Sequence, residues 1–518
     1  MQTQIIGLIV SFFAGALYAL AYPSAIGNGW FPLIFIALPL FLWKLEEANL
    51  KQGLALIFCY NLGLDLVSYY WIPHTMREFG QLPYVISLLI GILFTFLLQP
   101  HWWVYLFVSK KMKPDWKWNS ETGILFTAFV ITLLERYVPQ QFPSFVGSAF
   151  LHLAPYLGMA PYFGVAIFSF MLYWLSLEVV AQLKLKKFRP FVWICFSLFL
   201  VSNVTSPLKL TQSSKALKVR IVQANIGNFL KISSEKGETD SVESIDKKYY
   251  QLSTIDNGFK PDLIVWPETA YPNAFYGTES SITSPFREII QATDAEMLIG
   301  GYDQDLTKSP MDLHESVFNS SLLLNAERVK SSYHKNILIP FGETLPFGPL
   351  NRQIVSIIPA ISLFARGTGT PLMETRQGYR FVTPICYEIL ESDYMRYLLN
   401  QWKDNHFIVN HTNDSWYGKT AEPFQHLFLS KWRALEFQLP IIRSTNTGIT
   451  SIIYPDGSES NRLLTGEESV LDVVLPIGEA KNTFYQLYGI APLILLIAFF
   501  LIITAFREKS ELFSKANH

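Results

Sequence analysis

The chain has 518 residues, of which 50% are hydrophobic, 15% are aromatic and only 16% are charged. A soluble globular protein carries about 25% charged residues, so the composition excludes a disordered chain, a fibrous repeat and an ordinary cytosolic protein. The formal net charge of −1 gives no overall attraction to nucleic acid, and three cysteines without a CxxC pair exclude a disulfide framework and a cysteine-based zinc site. The composition indicates a membrane protein.

Long apolar runs fill the first 205 residues. They approach the roughly 20 residues that a helix needs to cross the hydrocarbon core, and they predict seven spans, near 4–22, 29–44, 52–71, 84–108, 122–138, 160–181 and 189–205. An eighth run follows at 484–506. We therefore predict a membrane domain at 1–205, a water-exposed domain at 206–482, a last span at 483–507 and a tail at 508–518.

Basic residues cluster in the loops after the even-numbered spans, which the positive-inside rule places in the cytoplasm. These residues are Lys44 and Lys51, Lys110, Lys111, Lys113 and Lys117, Lys184, Lys186, Lys187 and Arg189, and Arg507, Lys509 and Lys515. The 206–482 domain, which follows an odd-numbered span, is therefore predicted to lie outside. The first span is predicted to be retained, because its MQTQ start lacks the basic residues of a cleavable signal peptide.

Apolar segments of strand length alternate with helical segments between 206 and 482. The predicted strands are 218–226, 262–268, 297–303, 320–325, 329–335, 379–388, 406–414, 440–446, 450–455 and 468–476. The predicted helices are 241–255, 284–294, 391–403 and 421–438. Near-continuous apolar strands bounded by turn residues are typical of sheets covered on both faces, so this region is predicted to be a layered α/β domain.

Three chemically active side chains end three of the predicted strands. Glu268 closes DLIVWPE, Lys335 closes VKSSYHK, and Cys386 lies where YRFVTPIC ends. Sites in α/β sheets form beyond the carboxyl ends of strands. A thiol is a weak nucleophile until a base or a nearby cation activates it, so the glutamate and the lysine are suited to activate the cysteine.

The segments WPET (266–269), YHKNILIPFGE (333–343) and PICYEI (384–389) resemble the catalytic segments of the nitrilase, or carbon–nitrogen hydrolase, superfamily. NDSWYG (413–418), RSTNTG (443–448) and the arrangement of spans narrow the resemblance to the apolipoprotein N-acyltransferase family, bacterial inner-membrane enzymes that add the third acyl chain to lipoproteins. The resemblance implies a polytopic α-helical membrane domain of about eight spans and an α/β nitrilase-like α-β-β-α sandwich.

The resemblance also implies roles for individual residues. Glu268 matches the general base, Lys335 the triad lysine and Cys386 the nucleophile. A phospholipid would donate an acyl chain to Cys386 as a thioester, and the α-amine of the diacylglyceryl-cysteine of an apolipoprotein would then accept it. No cofactor or metal and no nucleic-acid partner is implied. The implied location is the bacterial inner membrane, with the catalytic domain in the periplasm, and we expect a monomer.

Three further residues match supporting positions of the family. Glu343 matches an acid that orients the lysine and the base, while Tyr387 and Glu388 follow the nucleophile and shape the oxyanion pocket and its support. The chain departs from the family pattern at Asn228 and Ile232, after QANI, and at Ser144, where FPS replaces FPW. These departures affect expected substrate contacts rather than the triad.

Several alternatives stay open at this point. Cys386, His411 and Asp414 offer a different Cys–His–Asp triad. A membrane-tethered hydrolase that releases acid to water and a non-enzymatic transporter or receptor are the rival classes of function. Residues 345–371, with Ile354, Ile357, Ile358, Ile361 and Phe364, are expected to form either a helix packed on the core or, as we favour, an apolar lid.

Overall fold

The computed structural model describes residues 2–78, 82–111, 120–209, 213–235, 237–308, 316–340, 342–345, 348–351, 353 and 363–516. The chain divides into two compact units. The first consists of Met1–Pro73, Tyr84–Leu208 and Thr483–His518, and the second of His74–Pro83 and Lys209–Asn482.

The first unit is helical. Its α-helices are Gln2–Ala19, Ile34–Glu47, Leu50–Leu64, Tyr84–Phe94, His101–Lys111, Glu121–Tyr137, Ala160–Phe163, Val165–Leu185, Pro190–Thr205, Phe484–Tyr488 and Ala491–Ala516. A further helix, Ile72–Glu78, crosses from the first unit into the second. Among the described residues, three helical segments are long and apolar enough to cross a membrane, namely Leu50–Tyr69, Val165–Leu185 and Ala491–Ser510. The protein is therefore a membrane protein with apolar helical spans.

The predicted fourth span, 84–108, is not one continuous helix. The structure divides it into Tyr84–Phe94 and His101–Lys111. Gln99 has a φ of +42°, and Pro100 follows it. Proline lacks the N–H that a helix interior needs and disfavours the helical conformation in the residue before it. The continuous span was therefore a wrong prediction, and Pro100 was the signal against it.

Two β-sheets form the centre of the second unit. The strands are β1 (Ala216–Gln223), β2 (Leu263–Val265), β3 (Ala274–Phe275), β4 (Glu296–Gln304), β5 (Val317–Leu324), β6 (Val329–His334), β7 (Met373–Glu374), β8 (Arg380–Val382), β9 (Asn405–Thr412), β10 (Ile441–Thr445), β11 (Ser451–Ile453) and β12 (Ser469–Pro476). One sheet has the order β12-β1-β2-β4-β5-β6, with β3 beside β4, and the other has the order β11-β10-β9-β8-β7. Strands β1, β2 and β4 are parallel to one another, as are β8, β9 and β10.

Helices accompany both sheets. They are Asn228–Glu235, Thr239–Ser253, Ser284–Thr293, Ser392–Gln401 and Glu422–Phe437. The larger sheet buries an aromatic cluster in which Trp266 stacks on Tyr249 with ring centroids 4.3 Å apart and packs against Phe286. All ten strands and four helices predicted for this region are present. The helix Asn228–Glu235 and the two-residue strands β3 and β7 were not predicted.

Candidate functional site

Glu268 lies just beyond the end of β2. The backbone N–H of Trp266 still donates to the carbonyl of Leu298, at 2.9 Å, but Pro267 has no N–H and the pairing stops there. The chain then passes close to β4, where a Cβ at Gly300 would lie 2.2 Å from the Pro267 carbonyl oxygen and 2.5 Å from Glu268 Cα. Only glycine at position 300 leaves room for the buried Glu268 in this place.

Lys335 follows directly after β6 and is only 1% exposed. Its Nζ lies 3.2 Å from Glu268 Oε1 and 2.7 Å from Glu343 Oε1. Burial alone would lower the pKa of this ammonium, but the two carboxylates outweigh burial and raise the pKa well above its ordinary value. Lys335 is therefore a fixed cation between two carboxylates.

Asn319 on β5 joins the same cluster, and sequence reasoning missed it. Its Nδ2 donates to Glu268 Oε1 at 2.8 Å and to Glu343 Oε1 at 3.2 Å, and its backbone carbonyl accepts from the backbone N–H of Lys335 at 2.8 Å. An amide within the strand VFNSSLLL was the available signal, since asparagine is depleted in strands. Asn319 holds both carboxylates in one orientation toward the lysine.

Glu343 is held by the turn that precedes it. Its Oε2 accepts from the backbone N–H of Ile339 at 2.9 Å, and its own N–H donates to the carbonyl of Ile339 at 2.8 Å. One carboxylate oxygen therefore anchors the turn while the other faces Lys335. This arrangement suits the orienting role that the family resemblance implied for Glu343.

Cys386 comes from the other sheet. Ile385 forms a parallel bridge with His411 of β9, and Cys386 then adopts a φ of +53° and begins the 3₁₀ turn Cys386–Leu390. The thiol is buried, and burial raises its pKa well above the ordinary value; the Glu268 carboxylate raises it further, whereas the Lys335 ammonium opposes both. The thiol therefore rests protonated, within the electrostatic reach of a base and a cation.

Glu388 ties the segment after Lys335 to the cysteine turn. It is fully buried, and burial raises its carboxyl pKa to about 7 although four donors surround it. The donors are the backbone N–H groups of Asn336, Ile337 and Ile385 and the hydroxyl of Tyr333, at 2.7–2.9 Å. Through these hydrogen bonds Glu388 connects the end of β6 directly to the turn that contains Cys386.

The alternative triad does not form. Nδ1 of His411 lies 2.7 Å from the Trp266 carbonyl oxygen and Nε2 lies 2.9 Å from Ser321 Oγ. Both ring nitrogens are therefore engaged by groups other than Cys386, and burial lowers the pKa of the imidazole to about 4. Asp414 pairs with Arg443 instead, at 3.2 Å.

The remaining predicted positions differ in how far the structure describes them. Asn228 donates through Nδ2 to the carbonyl of Ser415, at 3.1 Å, and so supports the NDSWYG loop. Phe364 stacks on Tyr302 with ring centroids 5.8 Å apart. Four residues of the proposed lid lie outside the described residues: Ile354, Ile357, Ile358 and Ile361.

Family models match both parts of the chain. The carbon–nitrogen hydrolase model matches residues 218–483, and the model of the apolipoprotein N-acyltransferase N-terminal domain matches residues 14–177. An apolipoprotein N-acyltransferase of Bdellovibrio bacteriovorus is 29% identical over 492 residues, which cover 90% of this chain and 88% of the relative. The chain belongs to the apolipoprotein N-acyltransferase family of carbon–nitrogen hydrolases. The resemblance drawn from the sequence motifs is confirmed.

Other members of the acyltransferase family extend over the same length. An apolipoprotein N-acyltransferase of Haemophilus influenzae is 27% identical over 493 residues, which cover 92% of this chain and 90% of the relative. A solved Saccharomyces cerevisiae member of branch 10 of the nitrilase superfamily is 14% identical with a TM-score of 0.35, and the match covers 52% of this chain and 93% of that chain. The site roles of Glu268, Lys335 and Cys386 stay predictions.

Proposed function

We propose that the protein transfers an acyl chain from a phospholipid to the α-amine of the N-terminal diacylglyceryl-cysteine of an apolipoprotein. The observation that carries the proposal is the buried Glu268–Lys335–Glu343 cluster, whose charges act on the Cys386 thiol. The relatives that match along most of the chain are named apolipoprotein N-acyltransferases. A thiol, a carboxylate and a fixed ammonium are the groups that acyl transfer through a thioester requires.

In the first half-reaction Glu268 takes the proton of the Cys386 thiol, and the thiolate attacks the ester carbonyl of the phospholipid. Lys335 stabilises the oxyanion of the tetrahedral intermediate. The C–O ester bond then breaks, the leaving alkoxide takes the proton from Glu268, and a lysophospholipid departs. Cys386 retains the acyl chain as a thioester.

In the second half-reaction the free α-amine of the apolipoprotein attacks the thioester. Glu268 accepts a proton from the amine, the C–S bond breaks, and the cysteine sulfur recovers the proton. The amide product leaves, and the enzyme returns to its initial state. The same base and the same cation act in both half-reactions, as is usual in ping-pong acyl transfer.

We also propose that residues 1–205 and 483–507 form eight spans and that residues 206–482 face the periplasm. The three long apolar helices and the shorter apolar helices Gln4–Ala19, Tyr84–Phe94 and Pro190–Thr205 support a multi-span arrangement, and the positions of the basic loops support the orientation. Both proposed substrates keep their chains in the bilayer, so a membrane-held site meets them where they reside.

The test is the intact mass of the purified protein after incubation with phospholipid alone. We expect an adduct of acyl-chain mass that hydroxylamine removes and that is absent in Cys386→Ser but present in Cys59→Ser. Adding a diacylated lipopeptide should discharge the adduct into a triacylated product. Free fatty acid in place of that product would identify a hydrolase, and an adduct on Cys386→Ser would overturn the assignment of the nucleophile.

A further inference from the structure

A buried polar cluster lies behind the nucleophile and takes no part in the proposed chemistry. It consists of Asp414, after β9, and Glu422 and His426, on the helix Glu422–Phe437, and each is at most 1% exposed. One ligand atom from each of the three lies within 4.8 Å of those of the other two. Among the described residues, Asp414 Oδ1 and Glu422 Oε2 lack a hydrogen-bond partner at normal distance. Nδ1 of His426 lies 3.7 Å from Asp414 Oδ1 and from Glu422 Oε1, and the imidazole also interacts with the Cys386 backbone.

The cluster holds the residue that follows the nucleophile. The Tyr387 hydroxyl donates to Glu422 Oε1, and the Tyr387 ring stacks on the imidazole of His426 with centroids 4.5 Å apart and planes 8° apart. Glu422 and His426 are four residues apart on one helix, so they lie on the same face. The helix Glu422–Phe437 therefore contacts Tyr387 twice, through a hydrogen bond to the hydroxyl and through stacking on the ring.

A chain of hydrogen bonds also connects Asp414 of this cluster to the backbone of Cys386. Asp414 Oδ2 accepts from Arg443 at 3.2 Å, and Arg443 donates to Asn410 Oδ1 at 3.0 Å. Asn410 Nδ2 then donates to the carbonyl oxygens of Cys386, at 3.1 Å, and Pro384, at 3.0 Å. The backbone of the cysteine turn is therefore held on both sides by connected buried groups.

The charges of the cluster and its neighbours distinguish two ways of neutralising it, a bound divalent cation or a proton on Glu422. Two carboxylates and an imidazole are ligands that a divalent cation accepts, but Asp414 is already paired with the Arg443 guanidinium, which would repel a cation. Burial and the Asp414 carboxylate raise the pKa of Glu422 well above its ordinary value, and burial lowers the pKa of His426 to about 4. A protonated Glu422 and a neutral His426 balance the charge, so the observations favour a proton over a metal.

The cysteine turn has a reason to need this support. Cys386 has a φ of +53°, which is unfavourable for a residue with a side chain. Strained conformations of this kind persist at functional sites only where surrounding contacts fix them. Tyr387, the next residue, shares that backbone, so fixing its side chain restrains Cys386 together with the bond from Asn410.

We infer that Glu422 and His426 are positioning residues for acyl transfer: by fixing the Tyr387 ring and hydroxyl, they hold the Cys386 backbone in the conformation from which the thiol attacks the phospholipid ester. This inference rests on the proposed function. Glu422 acts as a neutral acid, so its amide analogue retains the acceptor for the Tyr387 hydroxyl. His426 acts through its ring face, which stacks on Tyr387, and through the contact of its imidazole with the Cys386 backbone.

A double-mutant cycle tests the inference on the full-length protein in phospholipid nanodiscs, with the rate of acyl-enzyme formation as the readout. We expect Glu422→Leu to lower kcat for acylation at least about 10-fold with little change in KM, because misplacing a reacting group slows attack. Glu422→Gln should recover most of that loss. In the Tyr387→Phe background, Glu422→Leu should change the rate by no more than about 2-fold, since the bond it removes is already gone. His426→Phe should keep more activity than His426→Ala.

Other results would overturn the inference. A Glu422→Leu effect of the same size in both backgrounds would show that Glu422 acts through general stability, and a matching fall in melting temperature would show this directly. Stoichiometric metal in the purified protein, lost in Glu422→Gln, would show that a cation completes the cluster. Either result can occur while Cys386→Ser stays inactive, in which case only this inference fails; an active Cys386→Ser would refute the proposed function itself.

Discussion

Placing a methyl group on Gly300 tests how tightly the Glu268 backbone must pack on the larger sheet. The Cβ of Gly300→Ala would lie 2.2 Å from the Pro267 carbonyl oxygen and 2.5 Å from Glu268 Cα, whereas ordinary contacts begin at 3.4 Å. The segment must therefore move by about 1.2 Å, the difference between 3.4 and 2.2 Å. A displacement of about 1 Å in a reacting group can slow a reaction about 10²-fold, and overpacking of this kind destabilises a domain by about 1–3 kcal/mol.

We therefore expect Gly300→Ala to form the acyl-enzyme about 10²-fold more slowly than the unmodified protein. The assay is the time course of the acyl adduct by intact mass, at a temperature where thermal unfolding shows the variant to be folded. Gly301→Ala is the matched control, because its Cβ would make only ordinary contacts, 3.4 Å from Leu322 Cδ1 and 3.7 Å from the Phe275 ring. A folded Gly300→Ala that acylates as fast as Gly301→Ala would refute the reasoning.

Three further outcomes are expected. The transfer activity of Cys386→Ser, measured with a diacylated lipopeptide, should fall at least about 10³-fold, whereas Cys59→Ser should keep its activity. Normal turnover by Cys386→Ser would show that Cys386 is not the nucleophile. Glu388→Gln should destabilise the second unit by at least about 1–3 kcal/mol in thermal unfolding, because an amide cannot accept from four donors at once; an unchanged melting temperature would contradict this. In intact spheroplasts an impermeant maleimide should label Glu327→Cys and spare Lys187→Cys, and the reverse pattern would invert the proposed orientation.

The strands were predictable because their burial leaves a direct trace in the sequence. Runs such as DLIVWPE and HFIVNHT are rich in apolar and β-branched residues. In the structure β2 lies within the first run, and β9, Asn405–Thr412, covers the second. The ends of the runs DLIVWPE, VKSSYHK and YRFVTPIC pointed to Glu268, Lys335 and Cys386. The predicted 262–268 strand was too long because Pro267, visible in the sequence, cannot pair.

The support around these residues was not predictable in the same way. Asn319 reaches Glu268 and Glu343 because β5 lies between β4 and β6, and a single sequence does not reveal strand order. Glu422 and His426 meet Tyr387 only through packing between segments 35 to 39 residues apart. Local periodicity reports which face is buried; it does not report which distant side chain a buried polar group will meet.

The residues of the proposed triad come from two different sheets, so the cysteine can become reactive only after the two sheets have packed together. Cys386 follows β8, whereas Glu268 and Lys335 follow β2 and β6. A newly made chain carries all three groups before they meet, and a cysteine without a nearby cation or base stays a protonated, sluggish thiol. On the proposed mechanism, attack on esters therefore begins only when the two sheets have packed against each other. On the same mechanism, we expect a chain whose two sheets are not yet packed together to leave the surrounding lipid intact.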